Sequence, residues 1–155
     1  MPSHYPSKLI SQREVAEGTI EFIMEKPVGT DFSYLAGQFG DIELAHAEDA
    51  PKMDYTHGFS FVSAPFENDV RMATRMRSSS HFKNAIAKVA DGSPIQLIAT
   101  WGKFTLHEDA SVPAVFITGG IGITPVLSIL KQAAHDNKPH KMTLIYANRT
   151  PAQAA

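Results

Sequence analysis

The chain has 155 residues, of which 43% are hydrophobic and 19% are charged, as in an ordinary globular protein. A formal net charge of −2, without any run of lysines or arginines, argues against a nucleic-acid-binding surface. The absence of cysteine excludes disulfides, thiolate metal sites and cysteine nucleophiles, and the seven histidines show no metal-site spacing. The N-terminus has no apolar signal core, so we expect a cytoplasmic location.

The first two thirds of the chain predict an antiparallel β domain. Short runs with partial alternation, separated by turn residues, predict strands at 8–15 and 19–26, a turn followed by a strand within 36–44, and strands at 58–63, 69–77 and 94–99. The fifth strand alternates between apolar side chains and a face that carries arginines. Residues 81–89 have a helical apolar period after three serines. The pattern predicts a barrel or sandwich with one helix.

The last third predicts a strand, a glycine turn, a helix and a second strand. The apolar run 114–117 precedes the turn, Thr124 is a suitable N-cap, Pro125 suits the first helical position, and residues 141–147 form the next strand. Such a βαβ unit places free N–H groups at the helix start, where a phosphate can bind. From this stretch alone, a purely structural turn remains an alternative, because Pro125 stands where a dinucleotide motif has its third glycine.

The uncharged run 113–130 does not predict a membrane span. Three glycines and a proline lie in its middle, and a spanning helix needs about 20 mostly apolar residues.

Four stretches together are more specific than any one of them. They are Ala36-Gly37-Gln38-Phe39, Gly58-Phe59-Ser60-Phe61-Val62-Ser63-Ala64-Pro65, Trp101-Gly102-Lys103-Phe104-Thr105-Leu106 and Gly119-Gly120-Ile121-Gly122-Ile123-Thr124-Pro125. In content and order the chain resembles the ferredoxin–NADP⁺ reductase superfamily, in particular bacterial FAD-dependent, NAD(P)H-linked oxidoreductases. The resemblance implies a six-stranded antiparallel flavin-binding β-barrel with one helix over residues 1–109. A partial Rossmann-like NAD(P)-binding domain, its first βαβ unit, is implied over 112–155.

The resemblance also implies a flavin site, for FAD or FMN, on the predicted fourth strand. The family pattern Arg-x-Tyr-Ser reads here His57-Gly58-Phe59-Ser60. Ser60 would hydrogen-bond the flavin near its reactive N5, as the one catalytic residue, and Phe59 would pack on the ring. His57 replaces an arginine that pairs with the flavin pyrophosphate, and histidine lacks the permanently charged fork of arginine.

The remaining implied contacts are with pyrophosphate and nicotinamide nucleotide. For the flavin pyrophosphate they are Thr74, Arg75, Arg77, Ser78, Ser79 and Ser80, although the serines could simply cap the helix. For the nicotinamide cofactor they are Gly119, Gly120, Gly122, Thr124, Pro125 and Arg149. No acidic residue follows the last strand, which favours NADPH over NADH, whereas the alternative for Arg149 is a solvated side chain.

The implied activity is that of a flavin-dependent oxidoreductase. Electrons would pass from NAD(P)H through FAD to an acceptor such as ferredoxin or another electron carrier, with no metal, nucleic acid or membrane involved. The alternative is a truncated, non-catalytic flavin-binding or assembly module, or a barrel without cofactor. Because one βαβ unit does not complete a doubly wound sheet, we expect a chain truncated within its nucleotide-binding domain. We also expect exposed apolar faces and an open edge that favour a homodimer or a swapped assembly.

Overall fold

The computed structural model describes residues 3–46, 51, 55–76 and 80–155, with the side chain of Ala99 excepted. Its first six strands are β1 (His4–Ala16), β2 (Thr19–Glu25), β3 (Phe39–Leu44), β4 (Thr56–Ser60), β5 (Asp69–Arg75) and β6 (Pro94–Trp101). The short helix α1 (His81–Ile86) lies between β5 and β6. The chain continues with β7 (Ala114–Gly119), a 3₁₀ turn (Gly120–Gly122), α2 (Ile123–His135), β8 (Met142–Ala147) and a second 3₁₀ turn (Pro151–Gln153).

The first six strands form one antiparallel sheet in the order β4-β3-β6-β1-β2-β5. Its edge strands approach each other, and an isolated bridge between Phe61 and Met72 joins the segment after β4 to β5. The prediction of a six-stranded antiparallel domain with one helix is confirmed. The sheet curls toward a barrel, but the described strands do not close it as a continuous ladder.

Alternating side chains on β2 and β5 build the core of this sheet. Phe22 lies opposite Met72 and Met24 lies opposite Val70, and all four are fully buried. Side chains two apart on a strand point to the same face, so the register places both apolar sets inward. The polar face that carries the arginines is therefore turned away from this core.

Helix α1 begins where the serines predict but ends earlier. Ser80 is its N-cap, and its Oγ accepts a hydrogen bond from the Lys83 N–H at 3.3 Å. The prediction that the helix reaches residue 89 is wrong, because Lys88 and Val89 make i→i−3 hydrogen bonds that tighten the backbone into turns. Arg77, Ser78 and Ser79 lie outside the described residues.

The C-terminal part is the predicted βαβ unit. Strands β7 and β8 pair in parallel, and α2 packs on one of their faces around Phe116, Val126 and Ile129. The predicted helix start is wrong by two residues. Gly122 is the N-cap and Thr124 lies inside the first turn, because the 3₁₀ turn runs directly into the helix. None of the helices in the described ranges is long and apolar enough to cross a membrane.

Candidate functional site

The four motif stretches lie far apart in the sequence but contact one another in the fold. The Phe61 N–H donates to the carbonyl oxygen of Gln38 at 3.1 Å, joining the second stretch to the first. Gln38 Nε2 donates to the carbonyl oxygen of Gly102 at 3.1 Å, which joins the first to the third. The rings of Phe104 and Phe116 meet edge to face at 6.3 Å, just before the glycine turn. The motifs therefore build one region where the two sheets meet.

Gly37 lies at the tightest point of this region. Its φ is +98°, and a Cβ built on it would come within 2.0 Å of the Phe104 carbonyl oxygen and 2.8 Å of Ile129 Cδ1. Only a residue without a side chain fits a left-handed backbone this close to another main chain. Gly37 thus allows the loop before β3, the loop after β6 and helix α2 to meet.

On β4, the ring of His57 stacks on the ring of Phe59, with centroids 4.6 Å apart and planes 14° apart. Phe59 is buried, and it also contacts Phe82 of α1 at 5.6 Å. His57 is exposed, and its Nδ1 donates to the Gly58 carbonyl oxygen at 3.0 Å. The imidazole covers one face of Phe59, so the residue that presents a ring to solvent here is His57.

The other barrel residues with predicted cofactor roles do not lie on the face of β4 that carries His57 and Phe59. Ser60 ends β4 opposite Phe39 and is half-buried, on the face of the strand away from Phe59. Thr74 is buried within β5. Ser80 caps α1, whose Lys83 donates through Nζ to the Arg75 carbonyl oxygen at 2.8 Å. The start of α1 therefore lies beside the end of β5.

Sequence reasoning missed Asp41, which lies opposite Gly58 in the β3–β4 register. A Cβ on Gly58 would come within 2.7 Å of Asp41 Oδ1, so the carboxylate would have to shift to accept a side chain there. Burial raises the pKa of the Asp41 carboxyl, and the nearby His57 partly opposes that rise. Only the cross-strand register brings these residues together, and no sequence motif signals it.

The glycine turn between β7 and α2 leaves open space above its backbone. Gly120 has φ +52°, and a Cβ there would meet no atom within 4 Å. Tyr146 Oη donates to the Gly120 carbonyl oxygen at 3.1 Å, which fixes the turn on β8. Thr124 is buried and its Oγ1 donates to the Ile121 carbonyl oxygen at 3.1 Å, while Pro125 follows it in the first helical turn.

A cavity of about 380 Å³ opens beside this turn. It brings an arginine from β5 together with an arginine that follows β8, so both sheets contribute a cation. Its lining residues are Arg75, Gly119, Gly120, Ala147, Asn148, Arg149 and Gln153. Arg75, which the sequence predicts at the flavin pyrophosphate, therefore shares a cavity with three of the predicted nicotinamide-nucleotide residues, Gly119, Gly120 and Arg149, whereas Gly122, Thr124 and Pro125 do not line it.

Asn148 is the second residue that sequence reasoning missed. Its Oδ1 is buried and has no hydrogen-bond partner among the described residues. A buried polar atom without a partner is costly, and it is often satisfied by a ligand or by water. The sequence could have indicated Asn148 by its position directly after β8, where dinucleotide-binding proteins place a ribose-binding side chain.

Comparison with known proteins supplies the family context of this geometry. The model of the oxidoreductase NAD-binding domain family matches residues 116–155. The electron transfer component of toluate 1,2-dioxygenase from Pseudomonas putida is 26% identical over 145 residues, covering 92% of this chain and 40% of that protein. Reductase component 1 of terephthalate 1,2-dioxygenase from Comamonas is 24% identical, covering 96% and 42% of the two chains.

Solved structures support the same relationship as the sequence matches. The crystal structure of a ferredoxin NADP⁺ reductase from Neisseria gonorrhoeae with bound FAD and NADP superposes with a TM-score of 0.81. It is 22% identical, and the match covers 97% of this chain and 59% of that one. By fold the chain is similar to ferredoxin NADP⁺ reductases, and by sequence it is similar to the reductase components of dioxygenases. It spans about two fifths of the length of the two curated relatives.

The ferredoxin reductase-like match explains the order of the modules. The antiparallel sheet corresponds to the FAD-binding barrel of this fold, and the βαβ unit corresponds to part of its NAD-binding domain. The arrangement around Arg75, Gly120 and Asn148 then lies where the two modules meet.

Proposed function

We propose that this chain forms the cofactor-binding region of a flavin-dependent oxidoreductase, with FAD on the barrel and NAD(P)H at the glycine turn. Electrons would pass from NAD(P)H through FAD to an acceptor such as ferredoxin or another electron carrier. The observation that carries the proposal is the cavity in which Arg75 of the barrel meets the open Gly120 backbone and the residues after β8. Such a cavity supplies what a phosphate-bearing ligand needs from both modules.

The residues of this cavity fit a nicotinamide nucleotide. Two guanidinium groups provide permanent positive charge, the Gly120 backbone allows close approach, and Asn148 Oδ1 is a buried acceptor for a ribose hydroxyl. No carboxylate lines the cavity among the described residues. We therefore favour NADPH over NADH, with Arg149 accepting the additional phosphate.

The barrel supplies the flavin side of the proposal. Ser60 would donate a hydrogen bond toward the flavin N5, and the start of α1 at Ser80 would bind its pyrophosphate. His57 lies over Phe59 and would contact the cofactor with its exposed ring. The bound cofactors supply the hydride and electron-transfer chemistry, and the residues orient them and exclude water between them.

An absorption spectrum of the purified chain, with and without added FAD, tests the flavin part. Anaerobic addition of NADPH and then of NADH to separate samples tests the donor part. We expect flavin bands that bleach with NADPH at lower concentration than with NADH. Flavin bands that persist with both nucleotides would instead favour a non-catalytic flavin-binding module. A chain that binds no flavin would refute both readings.

The electron acceptor is proposed by analogy with the relatives of this chain. The toluate 1,2-dioxygenase relative is described as an electron transfer component, and the terephthalate 1,2-dioxygenase relative as a reductase component. We propose that this chain also transfers electrons to a protein, and that its acceptor is an electron carrier such as ferredoxin. Reduction of cytochrome c that requires an added ferredoxin, in the presence of NADPH and the chain, would support this. Reduction that ferredoxin does not accelerate would contradict it.

An apolar face on the β7–β8 sheet supports a homodimer, formed face to face or by strand exchange. Val115, Ile117 and Ile145 are 59%, 77% and 53% exposed, and the parallel register places Ile117 beside Ile145. Contiguous exposed apolar side chains mark interaction surfaces. Light scattering should give a dimer that Ile117→Asp dissociates and Val28→Asp, at an isolated exposed valine, does not. A monodisperse wild-type monomer at high concentration would contradict the proposal.

A further inference from the structure

A buried hydrogen bond joins helix α2 to the barrel. Ser128 Oγ donates to the Ser63 carbonyl oxygen at 2.7 Å, and both residues are fully buried. Away from water a hydrogen bond has well-defined geometry, and losing the donor leaves a buried acceptor short of a partner. This bond therefore holds one point of the helix at a defined position relative to the segment that follows β4.

The barrel side of this bond is held in place by several contacts. The Arg71 N–H donates to Ser63 Oγ at 2.9 Å. Tyr34 Oη lies 2.9 Å from Ser63 Oγ and donates to the Ser63 carbonyl oxygen at 3.2 Å, while its ring stacks on Phe61 at 4.0 Å. Burial raises the pKa of Tyr34 to about 12, so its hydroxyl remains a donor at neutral pH. Ser63 is thus fixed to β5 and to the barrel core.

The same face of α2 makes the neighbouring contacts with the segment 62–67. Lys131 Nζ donates to the Val62 carbonyl oxygen at 3.3 Å, and Gln132 Oε1 accepts from the Phe66 N–H at 3.3 Å. Helix positions three or four apart share a face, so these residues continue the row that Ser128 begins. Ser128 is the fully buried member of this row, and the others lie nearer the surface.

Both partners lie close along the chain to predicted cofactor contacts. Thr124 precedes Ser128 by four residues and lies on the same helix face, and Ser60 precedes Ser63 by three. We propose that Ser128 and Ser63 are positioning residues, whose hydrogen bond sets the distance and angle between the flavin side at Ser60 and the nicotinamide side at Thr124. This inference rests on the proposed function. Hydride transfer needs reacting atoms about 3–3.5 Å apart, and a displacement of about 1 Å can cost about a hundredfold in rate.

Two variants and a matched control test the inference. Ser128→Ala removes the donor from α2. Tyr34→Phe keeps the ring and removes the second hydroxyl at the same carbonyl, so it serves if Ser128→Ala does not fold. Ser7→Ala is the control, because Ser7 Oγ is buried and donates to the Glu25 carbonyl oxygen at 2.6 Å, within the barrel only.

The first readout is the orientation of α2 relative to the barrel, from residual dipolar couplings of backbone amides in the full chain. The second is the anaerobic flavin reduction rate as a function of NADPH concentration. We expect Ser128→Ala to change the orientation and to lower the limiting rate about tenfold or more. FAD affinity and the half-saturating NADPH concentration should stay within about twofold, and Ser7→Ala should change neither readout.

The outcomes separate this inference from the proposed function. Unchanged orientation and rate in Ser128→Ala would overturn the inference, and so would equal changes in Ser7→Ala. If the wild-type chain binds FAD but NADPH does not reduce it, the proposed function fails. The residual dipolar couplings are then the remaining test. A reorientation of α2 confined to Ser128→Ala and Tyr34→Phe would support a positioning bond, and the absence of any reorientation would overturn the inference.

Discussion

The imidazole of His57 lies flat on the ring of Phe59, at a centroid distance of 4.6 Å. This contact places a histidine at the surface of the proposed flavin site, where the family that the chain resembles has an arginine. Arginine would add a permanent charge and two parallel donors, whereas the His57 Nδ1 hydrogen is already donated to the Gly58 carbonyl oxygen.

His57→Arg should therefore strengthen FAD binding about tenfold, because charge-assisted hydrogen bonds to phosphate are stronger than neutral ones. Fluorescence titration of the chain with FAD measures the change. His135→Arg adds the same charge at the exposed ring that stacks on Phe66, and it should leave the affinity within about twofold. Equal gains in both variants would indicate a non-specific charge effect.

Gly37→Ala should destabilise the chain strongly. The added Cβ would come within 2.0 Å of the Phe104 carbonyl oxygen, at φ +98°. Gly29→Ala is the matched control, since Gly29 has φ +70° and open space around it. Urea unfolding should show a loss of about 1 kcal/mol for Gly29→Ala from backbone strain. Gly37→Ala should lose about 2 kcal/mol more, from overpacking. Equal losses would show that the loops do not meet at Gly37.

Asp41→Asn should stabilise the chain at neutral pH and have less effect in acid. Burial raises the pKa of Asp41, so the folded state keeps the proton to a higher pH than the unfolded chain does. Stability therefore falls as the pH rises through the raised pKa, and the amide avoids that loss. The free energy of unfolding at pH 7 and at pH 3, from urea titrations, measures the difference.

Asp136→Asn gives a control of opposite sign. Hydrogen bonds from the His135 and Gln132 side chains lower the pKa of this carboxyl, so its contribution is present at neutral pH and lost as the pH falls through the lowered pKa. Asp136→Asn should thus destabilise the chain at pH 7 and have a smaller effect at pH 3. If both variants change stability in the same direction at pH 7, the environment derived for Asp41 is incorrect.

Arg149→Ala should weaken NADPH binding about tenfold and leave NADH binding within about twofold, because only NADPH carries the additional phosphate. Calorimetric titration of the FAD-loaded chain with each nucleotide measures this. Arg13→Ala is the control, since Arg13 pairs with Glu21 on the barrel. Equal weakening of NADPH and NADH by Arg149→Ala would place this arginine on a part common to both nucleotides.

The sequence was most informative where side-chain spacing alone determines structure. The alternation that includes Phe22 and Met24 predicted an inward-facing strand, and the glycines before Thr124 predicted the strand–turn–helix. The helix start was misplaced because the backbone of the 3₁₀ turn Gly120–Gly122 continues into α2, so no side-chain cap is used.

Properties that depend on long-range register were not predictable. Asp41 reaches Gly58 only through pairing between β3 and β4, and Arg75 reaches the glycine turn only once β5 lies beside it. The orphaned oxygen of Asn148 likewise arises from its burial in the folded chain. Each of these features depends on how two or more strands or turns are placed relative to one another. The spacing of residues along the chain does not determine that placement.

In the proposed function, the barrel and the glycine turn together align a flavin with a nicotinamide nucleotide. Anaerobic stopped-flow reduction of the FAD-loaded chain, with NADPH deuterated at the transferable C4 position, tests it most directly. We expect the flavin bands to bleach with a primary isotope effect, which would show that hydride leaves C4 in the measured step. Bound flavin that stays oxidised at saturating NADPH would contradict this alignment.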